Sequence, residues 1–202
     1  MKRIFLCSSF YDVVSLLPKS FSIPLKGKSI AFIPTASIHE EYTQYVKDGK
    51  TALESLGLVV KDLEISHYNT EDIAQCLGDC DYIYVSGGNT FFLMQQLCKT
   101  GTDKLIIEQV ENGKLFIGES AGAIVVSPNI EYAKRIDAPL SETSDFKGLN
   151  VVNFYPVPHF ESFPFEEETQ LVVQEYKHLP LKPITNEQAI IIAGDSVSIQ
   201  QA

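Results

Sequence analysis

The chain of 202 residues is long enough for one sizeable core and short for two full domains, so one domain over residues 1–202 is expected. Its 45% hydrophobic and 21% charged residues are those of a soluble globular protein, and a net charge of −10 with no basic run disfavours a nucleic-acid partner. No apolar stretch reaches the ~18–20 residues of a membrane span. The basic start leads into an apolar run that stops at Leu6-Cys7, which suits a first strand better than a signal peptide, so a cytoplasmic location is expected.

In chain order, strands are expected over residues 3–8 and 29–37, a helix over 39–56 closed by Gly57, and a strand over 58–65. A short helix over 70–77 precedes a buried strand over 81–85, the turn Ser86-Gly87-Gly88-Asn89-Thr90 and a helix over 91–99. Another helix, over 103–111, ends at Asn112-Gly113 and leads into a strand over 114–118. Beyond the least regular stretch, 127–148, which reads as a surface insertion, come a strand over 149–157, a helix over 165–178 and a hairpin turning at Gly194-Asp195. Strands alternating with helices imply a mainly parallel sheet with helices on both faces, whose functional crevice lies at the carboxyl ends of the strands. Both glycine-rich turns, at 86–90 and 118–122, fall at such ends.

The second of these turns is Gly118-Glu119-Ser120-Ala121-Gly122, between a strand and a helix. A turn that thrusts one side chain outward needs small neighbours, and a helix amino terminus behind it favours developing negative charge. A plain tight turn would need the glycines alone; a nucleophile also needs Ser120. Such a serine requires a base. Among four histidines, His39 and His178 sit at helix ends and His67 in a polar loop, all ordinary surface positions. His159 follows a strand between Pro158 and Phe160, where it can be held and shielded, and it is the candidate base.

The carboxylate that would orient the imidazole is expected to be Glu187, just before a strand, with Asp137 and Asp145 as distant alternatives. Glu119 is discounted because it points away from Ser120. Gly87-Gly88 allows backbone N–H groups to face a substrate carbonyl, so Gly88 and Ala121 are candidate oxyanion donors, with Gly87 and Asn89 beside the substrate. The turn lacks a dinucleotide or Walker phosphate pattern. The four cysteines Cys7, Cys76, Cys80 and Cys98 have no metal-ligand spacing and read as reduced thiols.

Taken together, "SGGNT" after a strand, "GESAGA" some thirty residues later, then "PHF" and "NEQAIII" resemble the dipeptidase E family. These serine peptidases include α-aspartyl dipeptidases and, more distantly, cyanophycinases. The resemblance spans residues 81–192. It implies a class I glutamine-amidotransferase-like (flavodoxin-like) three-layer α/β sandwich, a Ser-His-Glu triad, no metal or organic cofactor, and short peptides as substrate, in a monomer or homodimer without a membrane partner. It makes Ser120 the nucleophile, His159 the base, and Gly88 and Ala121 the oxyanion donors. Relatives often carry the acid slightly earlier, where this chain has Asn186. Aspartyl dipeptidases also carry a substrate-binding arginine after a Glu-Thr pair. Here Gln170 stands in that place beside Glu166, Glu167 and Glu168, so strict preference for an amino-terminal aspartate is not expected. An esterase of the α/β-hydrolase type would run serine, acid, histidine, which His159 before Glu187 does not match. A catalytically inactive binding protein of the same fold is the other alternative.

Overall fold

The structure is a computed structural model and describes residues 1–139 and 145–202. Its first part alternates strand and helix through β1 (Arg3–Cys7), α1 (Phe10–Val13), α2 (Leu17–Ser20), β2 (Ser29–Ile33), α3 (Gln44–Ser55) and β3 (Val59–Asp62). Then come α4 (Thr70–Asp79), β4 (Tyr82–Val85), α5 (Thr90–Thr100), α6 (Thr102–Glu111), β5 (Leu115–Glu119) and the single-turn α7 (Ala121–Ile124). The last part holds β6 (Tyr155–Val157), α8 (Glu166–Glu175), β7 (Leu181–Pro183) and the hairpin of β8 (Gln188–Ala193) and β9 (Ser196–Gln201).

One sheet of seven strands runs in the order β3-β2-β4-β5-β1-β8-β9. The five strands from β3 to β1 are parallel, and β8 and β9 extend the sheet antiparallel at one edge. The central strands are continuous apolar runs because both of their faces are covered. One face packs Ile4, Leu6, Ile83, Val85 and Phe116 against α4, α5 and α6. The other packs Phe5, Phe32, Tyr84 and Ile117 against α1, α2 and α3. Asn69 and Asn89 cap α4 and α5 by accepting the N–H groups of Asp72 and Phe92. β4, β5 and β1 are neighbours, so the turns at their carboxyl ends share one crevice.

Three expectations change. The strand expected over 149–157 is reduced to Tyr155–Val157, which pairs in parallel with Leu181–Pro183 in a separate small sheet. Before it, the N–H groups of Leu149, Val151 and Val152 bond to carbonyls of Val125 and Val126, and Asn150 takes a φ of 53°. Those apolar residues are thus held by the segment after α7 rather than by a ladder. The helix expected from residue 39 starts at Gln44. The stretch 127–148 is partly built in. Residues 140–144 lie outside the described residues, but Ile130, Tyr132 and Ala133 are buried, and the Tyr132 hydroxyl donates to Pro156 O at 2.6 Å.

Candidate active site

Ser120 joins β5 to α7 with φ 50° and ψ −109°, a conformation that costs a residue with a side chain about 1–3 kcal/mol. The surrounding packing holds it there. A Cβ on Gly122 would lie 2.2 Å from Val85 O, so only glycine lets α7 approach β4 this closely. The Ser120 N–H donates to Cys7 O at 2.9 Å, tying the turn to β1.

His159 arrives from another direction, in the turn after β6, with φ 61°. Its N–H donates to the Ser8 hydroxyl oxygen at 2.9 Å, and that hydroxyl is shared between Thr185 O (3.0 Å) and Ile184 O (3.2 Å). Ser8, at the carboxyl end of β1, therefore holds the histidine turn and the segment before β8 together. The imidazole Nε2 lies 3.0 Å from Ser120 Oγ, and Nδ1 lies 2.8 Å from Asn186 Oδ1. An amide oxygen can only accept, so Nδ1 carries the proton and Nε2 is left to accept from the serine hydroxyl. Burial pushes the His159 pKa below its ordinary value, against the hydrogen bond to Asn186, which raises it. The ring leans on Phe165, with centroids 5.0 Å apart.

The pair opens into a cleft of about 560 Å³ walled by Tyr42, Tyr45, Ile136, Phe163 and Phe165. Gly87 and Gly88 form its floor, and a Cβ on Gly87 would stand 3.1 Å from Ser120 Cβ. Gly88 has φ 128°, and a Cβ there would sit 2.3 Å from Ala36 O. Ala121 is the first residue of α7, so its N–H has no partner inside the helix. Glu40, Glu119 and Asp137 also line the cleft, and no lysine or arginine does among the described residues. Burial pushes the Asp137 pKa up to about 6, although its carboxylate accepts the Thr90 N–H at 2.9 Å. The described residues contain no cluster of His, Cys, Asp or Glu that could hold a metal ion.

Comparison with known proteins matches residues 10–200 to peptidase family S51. The chain belongs to this family. It is 48% identical over 200 residues to an uncharacterized peptidase of Listeria innocua, covering 98% of this chain and 95% of that protein. To a peptidase E of Shewanella baltica it is 33% identical over 176 residues, 83% of this chain and 72% of the relative. A crystal structure from Listeria monocytogenes, described under the peptidase E name, superposes with a TM-score of 0.95 at 48% identity, over 100% of this chain and 99% of the other. The chain is therefore a serine-type peptidase with the class I glutamine-amidotransferase-like α/β fold.

Against that S51 background, the expected third member changes. Glu187 does not reach His159. Its side chain is exposed, with Oε2 3.5 Å from Gln201 Nε2 on β9, while Asn186, one residue earlier, faces the imidazole. The cause is register. Gln188 pairs with Gln201 and Ala189 with Cys7, which sets the phase of the chain entering β8 and turns Glu187 outward. The Asn186 N–H is held by the Ser162 hydroxyl at 3.2 Å. Asp145 lines a different cavity beside Phe91 and Cys98.

The expected substrate contacts divide. Gly87 lines the cleft. Asn89 is spent on structure, with Oδ1 capping α5 and Nδ2 donating to Ala138 O at 2.8 Å. Gln170 is exposed on α8 and outside the cleft lining. His39, His67 and His178 are exposed, and His39 packs on Phe92. Reading the sequence missed Ser8 and Tyr45. Ser8 had no local signal, since its partners are distant in sequence. Tyr45, whose buried hydroxyl has no hydrogen-bond partner, sits in a helix that looks like any amphipathic one.

Proposed function

We propose that this S51 peptidase hydrolyses short peptides with Ser120 as nucleophile, His159 as base, Asn186 as the group that orients the imidazole, and the N–H groups of Gly88 and Ala121 as oxyanion donors. The observation that carries the proposal is the 3.0 Å approach of Ser120 Oγ to His159 Nε2 at a strained strand-to-helix turn. Ser120 Oγ attacks the scissile carbonyl while Nε2 takes its proton. The carbonyl oxygen becomes an oxyanion between the two N–H groups. Nε2 then returns the proton to the leaving amine, the C–N bond breaks, and an acyl-Ser120 remains. Water, deprotonated by His159, attacks the acyl group; the acyl C–Oγ bond breaks, His159 returns the proton to Ser120 Oγ, and the carboxylic acid product leaves.

Asn186 departs from an acidic third member. A neutral amide fixes the tautomer and ring orientation, yet stabilises the imidazolium only through its dipole. Burial favours the neutral imidazole further, the form that can take the serine proton.

Substrate preference follows from charge. Glu40 and Asp137 line the cleft, and no lysine or arginine does among the described residues, so a peptide beginning with aspartate would bring a carboxylate to a lining that offers it no cation. Neutral or basic first residues suit it better. No helix among the described residues is long and apolar enough to cross a membrane. The test is labelling by a fluorophosphonate together with hydrolysis of a dipeptide panel. The wild-type protein should do both and Ser120→Ala neither. Full turnover by Ser120→Ala would overturn the assignment.

A further inference from the structure

Glu119 immediately precedes Ser120, and its carboxylate is bonded by Phe10 and Tyr84. It does not turn to solvent. The residue is 3% exposed, beneath α3, where Gly49 leaves room for the tyrosine that bonds it: a Cβ at Gly49 would lie 2.5 Å from the Tyr84 hydroxyl oxygen. Lone buried carboxylates are costly, and this one is met by donors from two separate segments, the start of α1 and the end of β4 with its following turn. Oε1 accepts the Phe10 N–H at 2.8 Å and Oε2 accepts the Tyr84 hydroxyl at 2.6 Å, while the Gly87 N–H is a weaker donor that helps to hold the carboxyl pKa down.

These donors are not scattered. Phe10 opens α1 just after Ser8, the residue that holds the His159 turn. Tyr84 lies on β4, and Gly87 belongs to the glycine turn that follows it. Glu119 itself immediately precedes Ser120. One carboxylate therefore joins the ends of β1, β4 and β5, the three strands that meet at the cleft. Holding the Gly87 N–H also restricts rotation of the next peptide, whose N–H is that of Gly88.

We propose that Glu119 is a positioning residue of the peptidase site, whose carboxylate locks the Gly87-Gly88 turn against the serine turn so that the Gly88 N–H stays aimed at the developing oxyanion. The inference rests on the proposed roles of Ser120 and Gly88. It assigns Glu119 no contact with substrate and no proton transfer.

Only the ionised carboxylate can accept from all these donors without presenting a proton of its own, so the lock should loosen as Glu119 is protonated. Burial pushes its pKa up to about 7, against the bonds from Phe10, Tyr84 and Gly87 that lower it, with Asp12 adding a smaller upward push. The titratable groups facing it are Cys7 on β1, Asp12 on α1, Tyr84 on β4 and Tyr45 on α3, and burial raises the pKa of Cys7, Tyr84 and Tyr45, keeping them neutral near pH 7. A decline in kcat on acidification should thus appear near neutrality, above the titration of His159, whose pKa is lowered.

The experiment measures kcat and KM from pH 5 to 9 for the wild type, Glu119→Gln and Tyr84→Phe, with circular dichroism as a check on folding and fluorophosphonate labelling of the wild type. Glu119→Gln should lower kcat by about ten- to a hundredfold with KM little changed, because an oxyanion donor acts mainly in the transition state. The decline near pH 7 should vanish in this variant. Tyr84→Phe keeps the ring packing and removes one donor to the charged form, so its decline should move to higher pH. If Glu119→Gln does not fold, the direction of the Tyr84→Phe shift decides. A labelled, active wild type whose pH profile is unchanged by Tyr84→Phe, or whose kcat is unchanged by Glu119→Gln, overturns the role of Glu119 alone. An active wild type that fluorophosphonate does not label overturns the Ser120 assignment, and this inference with it.

Discussion

Residues 115–125 and residues 155–188 each deliver a side chain to the same cleft, the first through one strand, one turn and one helix, the second through separate segments drawn together. Ser120 needs only what lies next to it: the end of β5, small neighbours, and room for α7 against Val85. His159 needs the Ser8 hydroxyl from β1, the Asn186 amide from the approach to β8, and the Phe165 ring ahead of α8. A constellation built locally survives most distant changes, whereas one assembled from several segments inherits the register of each. The second is where an amide, Asn186, rather than the expected Glu187, meets the imidazole.

The most direct way to break the comparison is to cut the assembled side. Asn186→Ala removes the acceptor on Nδ1, leaving the ring free to rotate and to change tautomer. A misplaced catalytic group costs about a hundredfold, and kcat should fall by that order with KM little altered. Asn186→Asp is nearly isosteric and should act in the opposite sense on protonation. A carboxylate beside Nδ1 favours the imidazolium, so the His159 pKa should rise and its part of the acid decline in kcat should move to higher pH. Wild-type kcat in Asn186→Ala would show that the arm is held without the amide.

The same contrast explains what could be read from the sequence. The parallel order of apolar runs, the turns at 86–90 and 118–122, and the pairing of Ser120 with His159 all follow from local pattern or from motif spacing. The strand end that orients His159 does not. Residues 185–188 contain Thr, Asn, Glu and Gln in succession, and which one faces the imidazole depends on how Gln188 and Ala189 pair with Gln201 and Cys7. Pairing across such distances leaves no mark in a window of neighbours. The reduced strand before Tyr155 has the same origin, because Leu149 and Val151 find backbone partners near Val125 instead of in a sheet. The donors to Glu119, the Phe10 N–H and the Tyr84 hydroxyl, are likewise brought to it from distant positions that no local window shows.

Substrate choice sharpens the comparison from the side of the cleft, which both regions line. Glu40 and Asp137 line the cleft, and no lysine or arginine does among the described residues. With an effective dielectric near 20, one unscreened like-charge contact at short range exceeds 1.4 kcal/mol, so kcat/KM for dipeptides beginning with aspartate should be about tenfold or more below that for neutral first residues. The measurement is a panel differing only in the first residue, at low salt. Aspartate as the best substrate would mean that a cation outside the present lining swings into the cleft.

The smallest effect is expected at Glu187, where the sequence pointed to a catalytic acid. If that carboxylate oriented His159, Glu187→Gln would lower kcat by orders of magnitude. Its side chain instead lies exposed against Gln201 on β9, on the far side of a register that puts Asn186 on the imidazole. A solvated carboxylate with one long hydrogen bond contributes little to the field at the ring. Glu187→Gln should therefore leave kcat, KM and the pH profile within about twofold of wild type, the range expected of a surface substitution. Measured beside Asn186→Ala, the pair assigns the third position without reference to any relative. A large loss at Glu187 with none at Asn186 would mean that the chain shifts by one residue when substrate binds, and that the register seen here is not the one in which the reaction runs.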